Sequence, residues 1–140
     1  MSLTYATDRR LDVETAVDLL RRSTLGERRP IDRPDVVAKM LEHAGILVTA
    51  WDRTPSGEEL LVGLARSVTD FAYVAYLSDL AVDQAYQRQG IGRELIRRTE
   101  ACLEPSAMLV LLAAPKAAAY YPHVGFDAHP SAWVKPPREG

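Results

Sequence analysis

Hydrophobic and polar positions along the chain change period several times, and each change marks an element. Leu3 to Thr7 is a short run suited to an edge strand. Val13, Ala16, Val17 and Leu20 recur at the three- and four-residue spacing of one helix face, with Asp12 placed to cap it, so a helix is predicted over Asp12–Leu20. The stretch Ser23–Pro34 is rich in arginine, holds Gly26, Pro30 and Pro34, and reads as a loop. A second helix over Asp35–His43 carries Val36, Val37, Met40 and Leu41 on one side, and Gly45 marks its end. The period then changes. Ile46–Trp51 and Leu60–Val68 read as strands joined through Thr54, Pro55, Ser56 and Gly57, which predicts an antiparallel hairpin. Tyr73–Val82 is the longest apolar, aromatic-rich run and is expected to be a central strand.

Gln89–Leu103 has helical spacing, with Ile91, Leu95, Thr99 and Cys102 as an inward stripe and Pro105 and Ser106 as the stop. Met108–Ala113 is almost entirely aliphatic, as expected of a buried strand beside the central one. Lys116–Tyr120 is predicted as a short helix ended by Pro122, because proline disfavours helical geometry in the residue before it. Phe126–Val134 is predicted to return as a last strand. The order is mixed α/β (α+β), and the strand–helix–strand unit over Tyr73–Ala113 implies a right-handed parallel crossover.

At 140 residues the chain suits a single domain spanning 1–140, and 47% hydrophobic with 26% charged residues fits a folded globular protein. Its net charge of −2 lacks the basic excess of a nucleic-acid binder, so no nucleic-acid partner is expected. A single cysteine, Cys102, excludes an internal disulfide and a cysteine-rich zinc site. His43, His123 and His129 are scattered without helical pairing, so no metal is expected. There is no apolar leader and no run approaching 18 apolar residues, which predicts a cytoplasmic protein without membrane association.

The chemistry is concentrated in Leu80-Ala-Val-Asp-Gln-Ala-Tyr-Gln-Arg-Gln-Gly-Ile-Gly92, where a strand runs through a loop with two glycines into a helix. The first N–H groups of a helix have no intrahelical partner, and the helix dipole adds positive potential there. Gly90 and Gly92 let an anion approach the backbone, so the segment reads as a phosphate cradle, with Arg88 and Arg93 adding charge. It is not a Walker loop, which needs a lysine, nor a dinucleotide fingerprint, which needs a third glycine where Leu95 stands. Taken alone, the two glycines are equally compatible with a tight strand-to-helix turn.

The wider pattern resolves that choice. Gln87-Arg-Gln-Gly90-Ile-Gly92 resembles the Gln/Arg-x-x-Gly-x-Gly/Ala motif of the GCN5-related N-acetyltransferase superfamily, and it follows a Leu-Ala-Val-Asp strand end also typical of that family. Further on, Ala117-Ala-Ala-Tyr-Tyr121-Pro-His-Val-Gly125-Phe126 resembles the second signature, Ala-x-x-Phe-Tyr-x-x-x-Gly-Phe. The element order agrees from about Leu3 to Val134. The resemblance implies a mostly antiparallel central sheet with one parallel, splayed strand pair and flanking helices. It also implies transfer of the acetyl group of acetyl-CoA to a primary amine by direct attack in a ternary complex. A non-catalytic acetyl-CoA-binding sensor is the alternative.

Carried over residue by residue, the resemblance places the coenzyme diphosphate on Gln87, Arg88, Gln89, Gly90, Ile91, Gly92 and Arg93. The pantetheine arm would pair with the edge formed by Leu80, Ala81 and Val82, and an N–H near Leu80 would hold the thioester carbonyl. Tyr121 matches the tyrosine that protonates the departing thiolate, with packing against the acyl chain as the other reading. Tyr120 takes the family's phenylalanine position and reads as core. Asp79, a lone carboxylate in an apolar strand, is the candidate base, or else a structural carboxylate bonded to backbone at a bulge. Tyr76 and Ser78, on the opposite face from Asp79 by strand alternation, are candidate acceptor-pocket residues. The arginine loop, with Arg28, Arg29 and Arg33, suits an anionic group on the acceptor or is simply solvated surface. Trp51, Phe71 and Tyr73 are offered to a pocket or an interface. Cys102, mid-helix and buried in this reading, argues against an acyl-cysteine intermediate. The chain departs from the family at Gln84, often proline, and at Ala114, often an asparagine that holds the coenzyme arm. Homodimers are frequent in the family, so one is a possible state of this chain.

Overall fold

The computed structural model describes residues 2–139. Five strands form one sheet in the order β1-β2-β3-β4-β5, with β1 Leu3–Ala6, β2 Ile46–Arg53, β3 Glu59–Thr69, β4 Val74–Val82 and β5 Met108–Val110. The first three pairings are antiparallel and β4–β5 is parallel, joined by a crossover that carries a helix. The helices are α1 Val13–Ser23, α2 Pro34–Glu42 and α3 Ile91–Ala101. Asp12 caps α1 as expected, its carboxylate accepting from the Thr15 N–H at 2.8 Å. The middle strand is β3. The long apolar run β4 lies fourth, between β3 and the short β5, which pairs with it only at Val74, Ala75 and Tyr76.

Each sheet face has its own core. On one, α3 packs Ile91, Leu95 and Ile96 against Val48, Ala50, Val62, Ala65 and Leu77. On the other, Leu19 and Leu20 of α1 meet Trp51, Leu61, Leu64 and Ala81. Full burial of side chains of this size contributes ~1.5–3 kcal/mol each. Two register shifts, at Ala50/Trp51 and at Arg66/Ser67, change which face the following residues serve. Trp51 is therefore a core residue, 7% exposed, while Phe71 and Tyr73 stand exposed beyond the far end of β3 and β4, so the three share no pocket.

Several sequence expectations need correcting. Gly45 does not close α2 with a left-handed turn; α2 ends at His43 without one. Residue 45 instead lies against β3, where an added Cβ would come within 3.1 Å of Thr69 Cγ2. α3 stops at Ala101, so Cys102 is its cap and is exposed, its thiol donating to the Arg98 carbonyl. β5 is three residues long and forms the edge of the sheet, with no strand beyond it among the described residues, and Met108 and Leu112 are about half exposed. In place of a helix over Lys116–Tyr120 there are two 3-10 turns, Pro115–Ala117 and Tyr121–Val124, and Pro122 sits at the start of the second rather than ending the first. The strand expected over Phe126–Val134 does not form. Gly125 turns the chain with φ of 94°, and Pro130 supplies no N–H for a ladder. Phe126 packs on the core, whereas Trp133 is 93% exposed.

Candidate active site

Two features meet at the end of β4. The first is the start of α3. The loop after β4 passes through a 3-10 turn at Gln84–Tyr86, capped by Asp83, and then adopts left-handed geometry at Arg88 (φ 65°) and Gly90 (φ 81°). Successive left-handed and right-handed residues turn their N–H groups into a concave nest suited to an anion. Gly90 is the N-cap of α3 and offers no side-chain cap, so the first-turn N–H groups keep their donors free for a ligand. An added Cβ at Gly90 would meet nothing within 4 Å, so that side of the loop is open. At Gly92 a Cβ would lie 2.8 Å from the Tyr120 hydroxyl. Tyr120 is thus not plain core: it is 38% exposed, and its phenol rests on the glycine of the loop. Arg93 ties this loop to the second signature through an N–H to the His123 carbonyl at 3.3 Å, and Gln87 reaches back to the Val82 carbonyl at 3.4 Å.

The second feature is the edge of β4. After Tyr76 the far edge of β4, from Leu77 to Val82, has no strand partner among the described residues. On its near edge, Leu80, Ala81 and Val82 lie opposite Ala65, Leu64 and Gly63 of β3. The bulge opposite Arg66/Ser67 lets Leu77 and Leu80 both serve the α3-side core. It therefore places Ser78 and Asp79 side by side on the α1 face, which corrects the alternation that put them on opposite faces.

Asp79 is 1% exposed and is bound by two guanidinium groups, not by backbone. Arg29 Nε donates to Oδ1 and Arg66 Nε to Oδ2, each at 2.5 Å. Arg66 also donates to Ser78 Oγ at 3.0 Å, and Arg29 to the Ser78 carbonyl at 2.6 Å. With each oxygen taken by a cation, the carboxylate acts as a counter-ion that fixes the bulge. Of the arginine loop, only Arg29 enters the site. Arg28 is exposed, and Arg33 pairs with Asp35 on the surface. Neither of these, both expected at the acceptor, is brought to the site. Arg66 was missed from sequence, although a lone arginine and a lone aspartate in neighbouring apolar strands are a signal that they pair across the sheet.

Tyr121 opens the second 3-10 turn and is held edge-on between Tyr120, with ring centroids 5.4 Å apart, and Phe126, at 5.6 Å. Burial pushes its phenol above the ordinary value, Tyr120 adds to this, and the Arg29 guanidinium acts in the opposite sense. The Tyr120 phenol is also raised by burial, with Arg93 opposing. Both therefore stay protonated at neutral pH. Tyr76 lies between Val68 of β3 and Val110 of β5, towards the covered end of the strand.

Removing the counter-ion should be costly. Asp79→Asn is expected to lower stability by ~3–5 kcal/mol, because it leaves buried guanidinium charge without a partner. Urea denaturation of the variant against wild type measures this, and a loss below about 1 kcal/mol would contradict a structural role for the pair.

The comparisons with known proteins agree with this geometry. Residues 42–128, more than half of the chain, match the family described as Acetyltransferase (GNAT) domain. A Glycine max protein named "Probable acetyltransferase TAP2" is 30% identical over 111 residues, covering 74% of this chain and 44% of that protein. The chain thus spans less than half the length of that relative. "Acetyltransferase, GNAT family protein SP0256" from Streptococcus pneumoniae superposes with a TM-score of 0.73 at 23% identity, covering 96% of this chain and 98% of that one. An aminoglycoside acetyltransferase, meta-AAC0020, from an uncultured soil metagenomic sample and crystallised with sisomicin, superposes with a TM-score of 0.64 at 23% identity, covering 95% and 93%. No helix among the described residues is long and apolar enough to cross a membrane. A glycine-loop helix start beside an open strand edge, carried by a sheet of this topology and matched over residues 42–128, makes this chain a member of the GNAT acetyltransferase family.

Proposed function

We propose that the chain transfers the acetyl group of acetyl-CoA to a primary amine by direct attack within a ternary complex. The observation that carries this is the uncapped start of α3, with left-handed Arg88 and Gly90, opening beside a β4 edge that has no strand partner beyond Tyr76. The residues present fit the coenzyme. The N–H groups from Arg88 to Arg93 would hold the diphosphate, and the edge at Leu80–Val82 would pair with the pantetheine arm. When bound, acetyl-CoA supplies the activated thioester.

The chain's own groups then divide the work. The Leu80 N–H would take the negative charge that builds on the carbonyl oxygen. Tyr121, neutral and partly buried, would donate its proton to the departing sulfur. Asp79, with both oxygens engaged by arginine, is a positioning residue rather than the base. The proton of the attacking amine would then leave through water. Ser78, and Tyr76 with it, would border the acceptor on this face.

Titration with coenzyme A by calorimetry, followed by thiol release from acetyl-CoA across a panel of amines, tests the reading. Saturable binding and turnover on at least one amine are expected. Binding without turnover on any amine would favour a sensor, and no binding would end the proposal. Tyr121→Phe is expected to reduce kcat by ~10²-fold or more while leaving the KM for acetyl-CoA near wild type, measured by steady-state kinetics. An unchanged kcat would remove the acid role.

A further inference from the structure

The charges beneath the β4 bulge do not balance. Arg29 and Arg66 face one carboxylate, Asp79, and no second anion joins them among the hydrogen bonds and ion pairs of the described residues. Arg22 is shared by two carboxylates, Asp18 and Asp83, and Arg33 pairs with Asp35, but none of these carboxylates bonds to Arg29 or Arg66. The side chains of Asp79 and Arg66 are 2% and 9% exposed, against 21% for Arg29. The surplus positive charge therefore reaches the solvent-accessible side of the site at Arg29.

Arg29 also has donors to spare. A guanidinium carries five N–H bonds. Its Nε is spent on Asp79, one Nη2–H on the Ser78 carbonyl at 2.6 Å and one Nη1–H on the Arg28 carbonyl at 2.8 Å. That leaves one N–H on each terminal nitrogen without a protein acceptor among the described residues, two donors that an oxyanion can take. The same guanidinium is bonded to Ser78 and Asp79, the two residues that precede Leu80 on β4. An acceptor whose amine attacks the thioester beside Tyr121 brings its remaining groups within the field of Arg29.

We infer that the acceptor is an amine that also carries an oxyanion, a carboxylate or a phosphate, and that Arg29 is the residue that recognises it. The inference rests on the acetyl-transfer reading above and narrows its acceptor. The anion completes the charge balance of the buried cluster, which a neutral or purely cationic amine cannot do. It also replaces the loop-wide arginine cluster anticipated from sequence with a single residue, since Arg28 and Arg33 stay outside.

The test uses the full chain saturated with coenzyme A, so that no turnover is required. Calorimetry compares phenylalanine with phenylalaninamide, and phosphoethanolamine with ethanolamine. At least one anionic member should bind ~10-fold or more tighter than its counterpart, and Arg29→Gln should reduce that ratio to within about twofold. The pair that shows the preference separates carboxylate from phosphate. Arg29→Gln leaves Asp79 and Arg66 as a matched pair, so the fold has no unpaired charge to expel. Arg29→Lys keeps the charge with fewer donors and should retain part of the preference. Equal binding within both pairs, no binding by either anionic member, or a preference that survives Arg29→Gln would overturn the inference. Failure of wild type to bind coenzyme A at all would overturn the acetyl-transfer reading first, and this inference with it.

Discussion

The seating of α3 on the sheet is the contact that the rest of the molecule depends on. Ile91, the first residue of α3, and Leu95 one turn later lie over Gly63 of β3, where an added Cβ would meet Ile91 Cγ2 at 3.0 Å and Leu95 Cδ1 at 3.1 Å. Gly63 is paired with Val82, the last residue of β4. A close approach between helix and sheet therefore places the start of α3 directly after the strand that feeds it. The helix start cannot drift from the end of β4 without losing packing from buried Ile91, Leu95 and Ile96. Hydrophobic contact thus holds a polar site in position: apolar burial fixes where the free N–H groups of the glycine loop point.

On the other face the same strand is fixed electrostatically. The bulge turns Ser78 and Asp79 to one side, and two arginines from different elements close on them, Arg66 from β3 and Arg29 from the segment between α1 and α2. A buried cluster of this kind is not the cheapest way to stabilise a fold, because apolar residues of equal volume often do as well. Its value lies in specifying one arrangement. It pins an irregular stretch of strand and draws the loop after α1 across it, so strand and loop are held together by a single carboxylate.

The C-terminal signature works differently. Tyr120, Tyr121 and Phe126 form an edge-to-face chain, anchored by Phe126 on the α3-side core and by the bond from Arg93 to His123. The segment itself forms only short 3-10 turns and leans on α3 for support. This explains how two tyrosines reach the site from a segment made of short 3-10 turns, and why the residues beyond Phe126 need no strand of their own.

The sequence by itself determined the elements whose signals are local. Helical spacing with an Asp12 cap, alternation and apolar runs with turn residues between them, and two motifs at a fixed separation identified α1 to α3, the β2–β4 meander, the glycine loop and Tyr121. Those features depend on interactions between residues close in the chain, so their pattern can be read along it. Only the tertiary structure decided what depends on distant partners. The β4 bulge changed the face of Asp79, because one extra residue in a strand reverses every side chain after it. Arg29 rather than Arg28 or Arg33 entered the site, because adjacent arginines differ only in what lies across from them. The strand expected at Phe126–Val134 did not form, and β5 stayed short and half open, because a strand exists only where another edge takes its hydrogen bonds.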